Sequence, residues 1–285
     1  MIKRIVVVGS GVMGRGIAYV GALGGYAVTI VDTNKTALEN AKQEINMILE
    51  KGLSRGKISA DQGQQVDGNI SYEKDLVNAA KSADLIIEAV PEITSIKKNV
   101  FEIIEEHAPT HCYFATNTST MSPTEIASFA KRPEKTIATH FFNPVHKMPL
   151  VEIVRGLETT DETVRVMIEV AMNMGKETVV INEFPGFITS RISALVGNEA
   201  FIMLQEGLGT PEDIDKAIKL GLNYPMGPFE LVDLVGLDTR LNNLNYLHEK
   251  LGEKYRPAPL LEQYVKAGRL GRKSGRGIYD YKIED

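Results

Sequence analysis

The chain is poor in several features that would tie it to a function class. Cys112 is the only cysteine among 285 residues, so no internal disulfide can form and nothing in cysteine usage conflicts with a cytoplasmic location. No apolar run approaches the eighteen or so residues that a membrane-spanning helix requires. The opening run Ile5-Val6-Val7-Val8 stops at Gly9, too early for a secretion signal, and reads as a first strand. Basic blocks are missing as well, and with a net charge of −5 this argues against nucleic acid as a partner. Arg269, Arg272, Lys273 and Arg276 cluster, but among glycines, as in a solvated turn region. His107, His111 and Cys112 have ligand-like spacing, yet Pro109 intervenes and no second cluster completes a tetrahedron, so no metal is expected. What is left is an ordinary soluble globular composition, long enough for one large or two medium domains, with no internal repeat and no low-complexity segment.

What is present begins with a glycine-rich turn. The strand Ile5 to Val8 leads into Gly9-Ser10-Gly11-Val12-Met13-Gly14, which opens a helical stretch running to about Gly24. In this pattern Gly9 makes a tight turn, Gly11 lets a pyrophosphate approach the backbone, and Gly14 allows helix and strand to pack closely. The N–H groups at the helix start, around Val12 and Met13, complete an anion site. A second strand, Ala27 to Val31, ends in Asp32, eighteen residues after Gly14. An acid there can accept hydrogen bonds from ribose hydroxyls and repels a 2′-phosphate, so the spacing predicts NAD rather than NADP.

Further strands are expected at Asp84–Val90 and Cys112–Thr116 with a helix over Thr94–His107 between them, and at Lys176–Ile181 after a helix from Glu162 to about Met174. This alternation predicts a Rossmann-like, doubly wound, mostly parallel sheet. Lys51, Arg55 and Lys57 close a helix that starts at Asn34; they suit either the helix C-terminus or a polyphosphate ligand, and the residues alone leave both open. The polar run Asn117-Thr118-Ser119-Thr120 follows a strand, where it would serve a ligand or cap a short helix near Pro123. His140 ends the apolar run Ile137-Ala138-Thr139, and Asn143-Pro144 forces a turn after it, which puts an imidazole at a carboxyl edge of the sheet. Twelve residues on, Glu152 shares a strand face with Leu150 and Val154, while Val151 and Ile153 make the other face apolar too. A carboxylate so placed needs a partner, and a nearby histidine is one. A core histidine bonded to a carbonyl and an edge glutamate facing water are the alternatives. Beyond Glu183 the texture is helical only. The expected division is a Rossmann-like NAD-binding domain over residues 1–184 and an all-helical domain over 185–285, whose broad apolar faces suit a substrate cleft and dimerisation or a self-contained bundle.

Taken together, Gly9 to Gly14, Glu88-Ala89-Val90-Pro91-Glu92, Asn117-Thr118-Ser119, His140-Phe141-Phe142-Asn143-Pro144, Leu150-Val151-Glu152, Pro185-Gly186-Phe187, Pro225-Met226-Gly227-Pro228 and Gly271 to Gly275 resemble the L-3-hydroxyacyl-CoA dehydrogenases, over essentially the whole chain. The nearest likeness is to the short bacterial 3-hydroxybutyryl-CoA dehydrogenases. The resemblance implies reversible NAD-linked oxidation of a short L-3-hydroxyacyl-CoA. His140 and Glu152 would be the catalytic pair, with Ser119 on the reacting oxygen. Glu92, Lys97 and Asn143 would contact NAD, Lys51 and Arg55 would contact coenzyme A, and the helical domain would form a homodimer. Where that family carries asparagine near the reacting carbon, this chain has Ser190, a shorter side chain that can still donate a hydrogen bond. Two rivals follow: a 3-hydroxyadipyl-CoA dehydrogenase, which needs a cationic residue in the acyl pocket, and a non-catalytic protein that binds NAD and acyl-CoA.

Overall fold

The computed structural model describes residues 1–281, and the chain divides into two compact units, Met1–Phe184 and Pro185–Asp285. Eight strands form one sheet in the first unit: β1 Arg4–Val8, β2 Ala27–Val31, β3 Ile70–Glu73, β4 Leu85–Glu88, β5 Tyr113–Thr116, β6 Thr136–Phe141, β7 Leu150–Arg155 and β8 Glu177–Asn182. Their spatial order is β3-β2-β1-β4-β5-β6-β7-β8, parallel throughout except where β6 meets β7 antiparallel. The reversal has a simple cause. Only Phe142 to Pro149 joins β6 to β7, fewer than the dozen or so residues a parallel crossover needs.

Period-2 alternation divides the apolar side chains between the two sheet faces. Ile5, Val7, Val28, Ile30, Leu85, Ile87, Val151 and Ile153 join one core cluster with Ile17, Ala18 and Val170, from the helices Val12–Leu23 and Asp161–Asn173. Val6, Val8, Val31, Ile86 and Phe114 join a second cluster with Val100, Phe101 and Ile104 of the helix Thr94–His107. Strands buried on both faces read as continuous apolar runs, which is why β1 and β4 were plain in the sequence. β3 and the helices Ala60–Asn69 and Leu76–Ala80 were not. β3 is an edge strand with no fully buried residue, and Ala60–Asn69 buries only Gly63 and Val66, its start fixed by a reciprocal capping box between Ser59 and Gln62.

In the described residues, the second unit contains helices and short turns but no sheet strand. Its core gathers Phe201, Phe229, Leu237, Leu244, Leu247 and Leu261, with the Phe201 and Phe229 rings edge to face at 5.3 Å. The glycine-rich end of the chain is tied down by a buried acid. Asp233 accepts the N–H groups of Ile278 and Tyr279 and the Tyr281 hydroxyl, each at 2.9 Å. A Cβ on Gly277 would fall 2.0 Å from the Asp233 Oδ1, so glycine is required there by close approach.

Candidate active site

Parallel pairing brings the ends of β1, β2, β4, β5 and β6 to one edge of the sheet. Val8 stands beside Val31 and Glu88, Glu88 beside Thr116, and Thr116 beside Ala138, so Gly9, Asp32, Asn117 and His140 follow at the same edge. The Asn117 carboxamide ties two of these ends together by accepting the Phe141 N–H at 3.0 Å.

The first turn at this edge suits a dinucleotide. Gly9 has φ +102°, and a Cβ there would lie 2.7 Å from the Ala89 carbonyl oxygen; one on Gly14 would lie 1.8 Å from the Gly9 carbonyl oxygen. A Cβ on Gly11 would meet nothing within 4 Å, so open space lies before the start of the helix Val12–Leu23, which no side chain caps. That opening and the uncapped N–H groups fit a pyrophosphate. Asp32 is fixed by the chain: one oxygen accepts the Ser10 N–H at 3.0 Å and hydroxyl at 2.7 Å, the other the Asn34 N–H at 2.9 Å. Burial raises its pKa, but the hydrogen bonds from Asn34 and Ser10 outweigh burial and hold the carboxyl below its ordinary value, so it is ionised at neutral pH.

Behind β4 lies a buried charge network that sequence reading found only in part. Lys97 is 0% exposed, and its ammonium reaches both Glu88 oxygens, at 2.8 and 2.9 Å, and Glu92 at 3.2 Å. Glu88 also accepts the Thr116 hydroxyl at 2.6 Å and the Val90 N–H at 2.7 Å. The other Glu92 oxygen accepts the Thr118 hydroxyl and the Ser119 N–H, both at 2.8 Å. Burial pushes the Glu88 carboxyl upward against the pull of Lys97. Glu88 and Thr116, apparently plain strand residues, thus belong to the lattice that holds Glu92 and the Ser119 backbone. Their signal was a polar residue ending an otherwise apolar strand.

His140 and Glu152 stand directly opposite each other on β6 and β7. Their Nδ1 and Oε2 atoms are 2.7 Å apart, with the histidine 8% and the glutamate 0% exposed. A carboxylate oxygen accepts, so Nδ1 is the donor in this contact. The Phe142 ring packs on the imidazole with centroids 4.4 Å apart. An oriented imidazole of this kind, at the ligand-binding edge of a dinucleotide fold, is suited to proton transfer.

Comparison with known proteins agrees. Residues 4–184 match the family model described as 3-hydroxyacyl-CoA dehydrogenase, NAD binding domain, and residues 186–281 match that of the 3-hydroxyacyl-CoA dehydrogenase C-terminal domain. The chain belongs to the 3-hydroxyacyl-CoA dehydrogenase family. Its relatives include a probable 3-hydroxybutyryl-CoA dehydrogenase of Bacillus subtilis, 44% identical over 99% of this chain and 98% of that protein. Another from Deinococcus radiodurans is 43% identical over 96% and 99%. Among solved structures, the (S)-3-hydroxybutyryl-CoA dehydrogenase of Ralstonia eutropha is similar with a TM-score of 0.95 at 36% identity, covering 99% of this chain and 100% of that one.

The other residues expected to serve a 3-hydroxyacyl-CoA dehydrogenase lie as follows. Asn143 is exposed, next to a cis bond to Pro144, and Ser119 is half-buried. Lys51 and Arg55 are exposed at the end of the helix Lys35–Ser54. Burial and then the charges of Lys147, Lys176, Lys57 and Lys51 hold His146 below its ordinary pKa, which brings Lys147 and Lys176, distant in sequence, near the Lys51 and Lys57 already grouped there. Ser190 belongs to the second unit, half-buried in the first turn of the helix Thr189–Gln205. No helix among the described residues is long and apolar enough to cross a membrane.

Proposed function

We propose that the protein oxidises the C3 hydroxyl of short L-3-hydroxyacyl-CoA thioesters, 3-hydroxybutyryl-CoA above all, to the 3-oxo product, reversibly and with NAD. The observation that carries this reading is the buried 2.7 Å contact between His140 and Glu152. Gly9 to Gly14, Asp32, Glu92 and Asn143 would hold NAD, which would supply the hydride acceptor. His140 takes the hydroxyl proton at Nε2, while Glu152 accepts the Nδ1–H, fixes the ring and stabilises the imidazolium that forms. In the reverse direction the imidazolium returns the proton to the carbonyl oxygen. The Ser119 hydroxyl donates to that oxygen, and Ser190 reaches the reacting carbon's neighbourhood directly or through a water. Lys97 acts through Glu92, since its ammonium is spent on two carboxylates. The coenzyme A phosphates meet Lys51 and Arg55, and the charges of Lys57 and Lys147 near His146 extend that attraction.

Pairing of two copies through the helical unit is part of the same reading, supported by Leu208, Leu220 and Leu222, which are 72%, 76% and 61% exposed. Sedimentation would test it, and cell fractionation would test the cytoplasmic location expected from the sequence. The activity itself is tested by near-ultraviolet absorbance of NADH formed from NAD and L-3-hydroxybutyryl-CoA. His140→Gln or Glu152→Gln should lower turnover about 10²–10⁴-fold with NAD affinity little changed; near-normal turnover in either variant overturns the assignment.

A further inference from the structure

Lys176 is a buried lysine of the first unit whose ammonium meets carbonyls and no carboxylate. It stands at the corner between the helix Asp161–Asn173 and β8, with 8% of its surface exposed. Gly175, at φ +71°, turns the chain there, and the Lys176 N–H bonds back to the Ala171 carbonyl at 3.0 Å. The ammonium reaches the loop between β6 and β7, where it donates to the Val145 carbonyl and, at 2.9 Å, to the Met148 carbonyl. Burial lowers its pKa, and no acidic group opposes that effect.

Lysine is seldom taken out of water without a counter-charge, because desolvating the ammonium is costly and neutral acceptors return only part of that cost. Here both acceptors lie in the connection from Phe142 to Pro149, the stretch that joins the strand of His140 to the strand of Glu152. The loop has other ties. Val145 buries its side chain in the core, so close to the helix Val12–Leu23 that a Cβ on Gly16 would fall 2.8 Å from the Val145 Cβ. The Lys147 and Met148 N–H groups return to the Pro144 carbonyl, at 2.9 and 3.0 Å. Asn143 leads into this stretch and is exposed, and its side chain makes no hydrogen bond among the described residues. Its place is therefore set by the backbone that Lys176 holds.

We propose that Lys176 is a positioning residue for the dehydrogenase: by holding the Val145 and Met148 carbonyls it fixes the loop that begins with Asn143 and keeps that carboxamide set against the nicotinamide end of NAD. The assignment rests on the function proposed above. Lys176 acts through the loop backbone, not on substrate or cofactor. An ammonium suits this task, since its three N–H donors can serve two carbonyls at once and a charged donor bonds more strongly than a neutral one.

The test titrates the full-length protein calorimetrically with NADH and with ADP-ribose, which lacks the nicotinamide, in the wild type and in Lys176→Met, a variant of similar length without the charge. Affinity for NADH should fall about tenfold in the variant while that for ADP-ribose stays level. With NAD and L-3-hydroxybutyryl-CoA, kcat should fall about 10–100-fold with the KM for the acyl-CoA unchanged, because a misplaced nicotinamide slows hydride transfer. Amide hydrogen exchange at Lys147 and Met148 should quicken, with exchange in β1 unaltered. Lys176→Arg keeps a charged donor and recovers part of each loss, which guards against a Met variant that fails to fold. Equal weakening of NADH and ADP-ribose assigns Lys176 to general stability and overturns the proposal. So does unchanged exchange in the loop, or a normal kcat with the loop loosened. Failure of the dehydrogenase reading is distinct, since the wild type then leaves every acyl-CoA unoxidised while the comparison of NADH with ADP-ribose still reports whether Lys176 places the nicotinamide.

Discussion

Lys97 and Arg240 are both cations removed from water, at 0% and 3% exposure, yet their surroundings differ completely. Lys97 meets two carboxylates, and each of these is held by further donors from Thr116, Val90, Thr118 and Ser119. Arg240 has one hydroxyl. A closed network fixes the positions of its members, so Lys97 sets where Glu92 and the Ser119 backbone stand. An open one fixes less, and the Arg240 guanidinium is held by a single side-chain hydrogen bond. Burial of a charge therefore says little until its counter-charges have been counted.

The largest effect that would test this contrast is the loss of Lys97. Lys97→Met leaves Glu88 buried without its cation and should cost about 3–5 kcal/mol of stability, read as a fall in Tm and in the denaturant midpoint. Arg240→Met removes a charge that has no ion partner, and the expected Tm is equal to the wild type's or higher; a drop as large as that of Lys97→Met would erase the distinction between the two sites. Smaller is the effect of Asp84→Asn at the foot of β4, where the carboxylate accepts the N–H groups of Lys3 and Arg4 at 2.9 and 2.8 Å. Burial raises the Asp84 pKa, but those N–H groups and His111 bring it below the ordinary carboxylate value. A depressed pKa stabilises above the unfolded value and loses that contribution as pH falls through the folded one. The variant should thus melt roughly 2–4 °C lower near neutral pH, with the gap closing in acid. Least of all, Cys112, pushed up to about 12 by burial, should resist thiol reagents at pH 8 while the first unit is folded and react once it opens.

The parts of this molecule legible in the sequence were those whose burial leaves a pattern. β1, β4 and the helix Thr94–His107 are apolar runs or stripes, and Gly9 to Gly14 is a motif whose spacing follows from backbone geometry. His140 and Glu152 were legible because polar groups at the ends and centres of buried strands stand out against their neighbours. The antiparallel turn from β6 to β7 has no motif of its own and follows only from the short connection Phe142 to Pro149. Edge strand β3 and the helix Ala60–Asn69 left no pattern, since each buries little. Arg240 is the opposite case. Nothing in Asp238-Thr239-Arg240-Leu241 distinguishes it from a surface arginine, and only packing against Ser193 and Gly197 reveals that it is enclosed.

The hairpin formed by β6 and β7 has a consequence for descent as well as for chemistry. His140 and Glu152 face each other across one reversal of the chain, twelve positions apart. A recombination break anywhere outside residues 136–155 carries the two together, so exchange of other segments leaves their register intact. Within the hairpin, slipping the register by one residue turns one member of the pair to the other face of the sheet. The 2.7 Å contact is then lost at a stroke.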